Sequence, residues 1–199
     1  MRMLKTICVG IISASLIIGC QKTQQTDTDH LYKARDYYQQ NQFDSAIIEL
    51  KNTLRLNPAN AEARWLMGKV YINMANWSGA ETELRKAMDY GVDPSVVLTE
   101  LARTLVKQHK YRELLQDINP DRIAKKRQKA LILAYRAEAY KGINMPEKSE
   151  LTIKQARIIA PDSVEVKLAE ARLAIMSRRS EQALPILAEI VQVEPDNFQ

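Results

Sequence analysis

Few residues in this chain could do covalent or metal chemistry. Its 199 residues include two cysteines and two histidines. His30 and His109 stand far apart, and neither has a Cys or Ser partner at nucleophile spacing. Cys8 and Cys20 are too few for a disulfide framework or a zinc site. Carboxylates are plentiful but scatter at helix-surface spacing, and there is no Gly-rich loop to cradle a phosphate. No catalytic residue, metal site or cofactor is therefore expected, and the chain reads as a non-enzyme. The formal charge of +5, from 29 basic and 24 acidic residues, is too mild to indicate nucleic-acid binding.

The one reactive group in a suggestive context is the Cys20 thiol. Arg2 and Lys5 give a basic start, and Ile7 to Ile18 is an apolar stretch. That stretch is shorter than the roughly twenty residues a spanning helix needs, and suits a secretory signal. It ends in Ile17-Ile18-Gly19-Cys20, which resembles a bacterial lipobox. The resemblance implies a signal peptide over 1–19 and acylation of Cys20, with palmitate among the acyl chains. Cys8 would leave with the signal, and 27 basic against 24 acidic residues would remain, a charge of +3. Several acyl chains on one Cys anchor stably where one would be marginal. Gln21 rather than Asp after the Cys implies an outer-membrane lipoprotein facing the periplasm of a Gram-negative cell. Residues 20–28 then read as the lipidated Cys and a polar, flexible tether.

The elements behind these residues repeat. Ala34, Gly68, Ala102, Ala137 and Ala171 are small residues spaced 34, 34, 35 and 34 apart. Twelve residues after each lie Ala46, Ala80, Leu114, Ser149 and Ala183. Sixteen after each lie Leu50, Leu84, Ile118, Ile153 and Leu187. Pro58, Pro161 and Pro195 close three units at one offset, and Pro94 closes another two residues late. The pattern resembles the tetratricopeptide repeat (TPR), in registers 27–60, 61–94, 95–129, 130–163 and 164–197. It implies an all-α fold, a right-handed superhelical solenoid of antiparallel helix pairs, with the array filling 29–199. Helices are expected over 61–74 and 78–90. Residues 56–60 and 160–163 should stop one helix and cap the next. Ile118-Asn119-Pro120-Asp121 should break the second helix of repeat 3, with Asp121 capping a helix that runs on to Lys141. Pro185 should be tolerated within the last helix. Leu184, Leu187, Ile190 and Val191 should be partly uncovered, as in an array truncated at its C-terminus.

The same resemblance implies a binding groove lined by the first helix of each unit. The residue after the small position faces it in the family, and here is Arg35, Lys69, Arg103, Glu138 and Arg172. Nearby groove positions hold Tyr38, Trp65, Asn73, Lys107 and Tyr135. A basic stripe with aromatics suits acidic segments of an envelope protein partner, or an anionic polysaccharide. The Asn that chaperone-binding TPRs use for their clamp is missing at the Arg35 position of every repeat. A second basic cluster, Arg122, Lys125, Lys126, Arg127 and Lys129, reads first as a solvated helix surface and alternatively as a contact for anionic lipid or glycan.

Three stretches resemble one TPR lineage more closely. They are 63–71 (ARWLMGKVY), 81–88 (ETELRKAM) and 91–103 (GVDPSVVLTELAR). They are similar to the N-terminal part of the TPR lipoprotein of PEP-CTERM/exosortase systems, the PrsT type. That similarity implies a membrane-anchored scaffold for protein–protein interactions in exopolysaccharide export and PEP-CTERM protein sorting. The alternatives are a pilotin-like lipoprotein for type IV pilus secretin assembly and a regulator of a peptidoglycan enzyme.

Overall fold

The structure, a computed structural model, describes residues 25–193, with side chains through residue 191. The signal segment, Cys20, Gln21 and the Pro195 turn lie outside the described residues. Among those described, the secondary structure is helical, without a strand. The helices are α1 (Asp27–Gln39), α2 (Phe43–Leu56), α3 (Ala61–Asn73), α4 (Trp77–Asp89) and α5 (Pro94–Lys107). They continue as α6 (Tyr111–Asp117), α7 (Lys126–Gly142), α8 (Pro146–Ile159), α9 (Val164–Met176) and α10 (Ser180–Val193). Each odd-numbered helix pairs with the next even one, α6 being the short member, and the fold is an all-α TPR superhelix.

Local chemistry sets the boundaries. Thr26 and Asp29 form a reciprocal capping box on α1. The Asn60 side chain accepts from the Ala63 amide at 3.0 Å, and Ser163 receives the Val166 amide at 3.4 Å. Residues 56–60 and 160–163 thus stop one helix and cap the next, as their Asn, Pro and Ser suggest. The turn inside every pair uses a residue in the left-handed region: Asn41, Ala75, His109, Asn144 and Arg178. These five share one register, seven residues after the small position. For His109 this is a structural role, with its Nδ1 2.6 Å from the Tyr111 hydroxyl.

Packing follows the small-residue ladder. Ala34, Ala102, Ala137 and Ala171 are buried. Gly68 sits so close to α4 that an added Cβ would lie 2.8 Å from Leu84 Cδ2. Facing them, Ala46, Ala80, Leu114 and Ala183 are also buried, while the buried Ser149 hydroxyl donates to the Ala137 carbonyl at 2.8 Å. Three of the apolar clusters run across unit boundaries, and the largest joins Leu84, Leu101, Leu105, Leu114 and Ile132 from four successive helices of three units. Among the described residues only the small cluster of Ala171, Ala174 and Ala183 stays within one pair, so neighbouring units otherwise stabilise one another.

Repeat 3 departs from the pattern. Helix α6 has only seven residues, and a 3-10 turn over Pro120–Arg122 follows it. Asp121 does not cap a long helix. Asn119 caps the 3-10 turn, α7 begins at Lys126, and Asp121 instead accepts a 2.9 Å bond from Lys129. Proline fixes the turn at 120 and Ile123 is buried, so the chain runs on in extended form before the helix restarts. Arg136 of α7 reaches back to satisfy the carbonyls of Leu115 and Ile118, at 2.9 and 2.8 Å. Pro185 lies within α10. Of the four apolar residues there, Leu184 and Val191 are exposed, Leu187 is half-buried, and Ile190 is fully buried.

Candidate binding groove

The first helices of successive units touch one another, α1 with α3, α3 with α5, α5 with α7 and α7 with α9. The second helices pack instead on the first helix of the next unit. The odd-numbered helices therefore line the inner, concave side. Because one turn is 3.6 residues, residues three and four apart share a helix face. This groups Tyr38 with Arg35 on α1, and Trp65, Lys69 and Asn73 on α3.

At its N-terminal end the groove forms a connected polar cluster. Lys69 Nζ lies 4.7 Å from the Trp65 ring centroid and 5.0 Å from that of Tyr38. Asn73 Nδ2 donates to the Tyr38 hydroxyl at 3.3 Å and to the Lys69 carbonyl at 3.0 Å. Two aromatic faces thus hold the ammonium in place by attraction to their quadrupoles. Arg35 is differently placed. It forms an ion pair with Glu62 of α3 and lies 5.3 Å from the Tyr32 ring centroid.

Further along, Arg103, Lys107, Tyr135, Glu138 and Arg172 meet around a cavity of about 290 Å³, with Leu131 and Leu168 on its walls. Arg172 bonds the buried Glu138 carboxylate at 2.5 Å. Burial pushes the Glu138 carboxyl above the usual carboxylate range, and the charges of Arg172 and Lys107 oppose that shift. Burial likewise raises the Tyr135 phenol. Glu165, also on the wall, is anchored by Ser163 at 2.7 Å and Arg127 at 2.8 Å.

Between the two halves lies Glu100. Burial raises its carboxyl, with the charges of Lys69 and Arg103 working the other way. Its Oε2 and the indole Nε1 of Trp65 are both buried and reach no partner in hydrogen-bond geometry. The indole is nonetheless near enough to favour the ionised carboxylate slightly.

The ten groove positions therefore fall into two clusters, Arg35/Tyr38/Trp65/Lys69/Asn73 and Arg103/Lys107/Tyr135/Glu138/Arg172. Sequence reasoning missed the acids Glu62, Glu100 and Glu165. All three sit on the same first-helix face, and their register relative to Gly68, Ala102 and Ala171 would have revealed them. They change the electrostatics: Arg35 and Arg172 are paired, whereas Lys69, Arg103 and Lys107 make no ion pair among the described residues. His30, by contrast, sits off the groove, bonded to Glu49 at 2.5 Å. Among the described residues no three His, Cys, Asp or Glu side chains cluster as metal ligands.

Comparison with known proteins agrees with this architecture. The family described as "TPR repeat" matches residues 34–74. No curated protein matches the sequence. Among solved structures, MamA (residues 41 to the end) from Desulfovibrio magneticus RS-1 superposes with a TM-score of 0.66 at 14% identity, covering 88% of this chain and 99% of that one. YrrB, described as a TPR protein with an unusual peptide-binding site, gives 0.59 at 16% identity over 85% and 87% of the two chains. PilF of Pseudomonas aeruginosa gives 0.59 at 17% identity, covering 85% of each chain. The chain thus has the TPR fold, with a TPR repeat matched over residues 34–74.

Proposed function

We propose that this chain is a lipid-anchored scaffold whose concave face holds an acidic segment of an envelope protein. The observation that carries this reading is the trio Lys69, Arg103 and Lys107 at the centre of the groove. These cations form no ion pair among the described residues, Glu100 and Glu138 being near enough only to feel their charge, and stand beside Trp65, Tyr38 and Tyr135. Cations spaced along a groove with aliphatic and aromatic walls suit a peptide with carboxylates and occasional apolar side chains. The peptide-binding site of YrrB, on the same fold, favours peptide over polysaccharide as the ligand. Acylated Cys20 would hold the scaffold at the periplasmic face of the outer membrane. The stretches 63–71, 81–88 and 91–103 favour exopolysaccharide export and PEP-CTERM protein sorting as the system it serves.

A pull-down from solubilised envelopes with the mature chain tests the groove. Lys69→Glu, Arg103→Glu and Lys107→Glu together should abolish capture of the partner while leaving helix content unchanged. Arg35 and Arg172 are left alone because reversing them would break existing ion pairs. Unchanged capture by the triple variant would reject the groove. The anchor is tested by Cys20→Ala, which should release the protein from membranes washed at high salt. Retention after that wash would rule out acylation as the anchor.

A further inference from the structure

We propose that the edge of the solenoid bearing the connection between α6 and α7 lies against an anionic lipid surface. Helix direction alternates along the chain, so every connection from a second helix to the next first helix falls on one edge. The start of α1 lies on that edge, and so do residues 118–125. The inference takes its orientation from the acylated Cys20 proposed above. From Cys20 to Asp27 the chain spans at most about 25 Å. An anchor there would hold this edge, and not the opposite one, close to the headgroups.

Five basic residues gather on this edge, and three of them form no ion pair among the described residues, although Lys125 is near enough to Asp93 to help hold that carboxyl down. Arg127 is paired with Glu165 at 2.8 Å and Lys129 with Asp121 at 2.9 Å. Arg122, Lys125 and Lys126 are exposed and form no ion pair among the described residues. Helix α7 starts in their midst with no side-chain cap and no acid in its first turn. Cations beside the positive end of a helix are unfavourable in the isolated molecule, and an anionic surface would relieve that.

The surroundings are apolar as well as basic. Lys126 and Arg127 border a depression of about 350 Å³ that also includes Ile159, Pro161 and one acid, Asp162. Lys129 and Asp121 border the next, of about 500 Å³, with Leu133, Ile158 and Ile159. Ile158 is 80% exposed, the most of any large hydrophobic side chain described. Cations framing protruding aliphatic residues suit an interface that is charged outside and oily within. No described helix is long and apolar enough to cross a membrane, so the contact would be peripheral. The acids at the start of the same edge are engaged: Asp29 in the cap with Thr26, and Asp27 by Asn57 and Asn60.

The test is sedimentation of the mature chain carrying Cys20→Ser with two kinds of vesicle. One is pure phosphatidylcholine, and the other contains phosphatidylglycerol. Binding is expected only to the anionic vesicles and should vanish in about 0.5 M salt, where the screening length falls to a few ångströms. Each basic residue near such a surface contributes about a fivefold gain in partition, so Arg122→Glu, Lys125→Glu and Lys126→Glu together should lower it by at least about 100-fold. Arg112→Glu, Lys148→Glu and Arg178→Glu, exposed on the opposite edge, should change it little. Equal binding to both vesicles, equal loss in both triple variants, or no binding at all would overturn the proposal. Because this chain has no lipid and its groove is unaltered, those outcomes are independent of the anchor and of the groove. The groove variant Lys69→Glu, Arg103→Glu, Lys107→Glu should still bind anionic vesicles, and its failure to do so would also reject the assignment to this edge.

Discussion

Glu100 shows how a single side chain balances structure against a binding surface. Its carboxyl is half-enclosed, with one oxygen unpartnered, and burial raises its titration above the ordinary value of 4.5. For an acid shifted upward, the folded state carries no penalty while the group is neutral. The penalty grows as pH rises from the unfolded value toward the folded one, and it is complete above both. Glu100→Gln should therefore raise the melting temperature at pH 7, and the advantage should fade below about pH 4. Melting curves of both proteins across that range check this, and a constant difference at all pH values would contradict it. In the folded protein Glu100 also draws on the fields of Lys69 and Arg103, so the same variant should bind an acidic peptide more tightly. Arg172 illustrates the reverse case. It resembles Arg103 in the repeat register, but its guanidinium is committed to Glu138, so position in the repeat does not decide availability.

At the scale of elements, two glycines in closely packed helices should respond differently to the same substitution. A Cβ on Gly142 would lie 2.2 Å from Tyr111 Cε2 and within 2.6 Å of two further atoms of that rigid ring. Gly142→Ala should destabilise by about 2 kcal/mol through overpacking. A Cβ on Gly68 would meet the Cγ and Cδ2 of Leu84 at 2.8 Å, an aliphatic side chain rather than a ring, and Ala occupies the equivalent position opposite Leu50 in the first unit. Gly68→Ala should lie within about 1 kcal/mol of wild type, because the gain in helix propensity offsets a small shift of Leu84. Urea denaturation of both variants measures the contrast. The Gly68–Leu84 half of that contrast was visible in the sequence, since the ladder from Ala34 to Ala171 fixed which residues face each other across a pair, whereas the approach of Tyr111 to Gly142 lay outside the ladder. The caps at Asn60 and Ser163 were legible for the same local reason. The restart of α7 was not, because Asp121 has two chemically reasonable uses, as a cap or as a partner for Lys129. Only the path of the chain after Pro120 decides between them. Nor were the acids of the groove visible as partners, because register puts Glu62 and Arg35 on one face without giving their separation.

Across the whole molecule an arginine crosses every junction between units. Arg35 pairs with Glu62, Arg85 with Glu113 and Asp117, and Arg172 with Glu138, while Arg136 holds the last carbonyls of α6. Stability in a solenoid is the sum of weak units and the interfaces between them, so such contacts set how cooperatively the array unfolds. The junction around α6 depends on them most, because that helix has only two turns to bury. Its anchor is Glu81 of α4, which accepts from Lys110 at 2.6 Å, Gln108 at 2.7 Å and Arg85 at 3.1 Å. Burial works against the charge, yet these bonds hold the Glu81 carboxyl down at about 2. A depressed acid stabilises the fold fully above its unfolded value of 4.5, and that stabilisation is lost as pH falls through 2. The side chains of Lys110 and Arg85 remain partly open to solvent, so the contribution at pH 7 is about 2 kcal/mol, less than the shift alone implies. Glu81→Gln should therefore cost about that much at pH 7, and the gap to wild type should close between pH 4.5 and 2. Because each unit depends on its neighbours, the loss should not be uniform. Hydrogen exchange should accelerate first in α5 and α6, and the single unfolding transition should broaden as units before and after that junction uncouple. A uniform rise in exchange along all the described helices would show instead that the array behaves as one cooperative block and that the α6 junction is not its weak point.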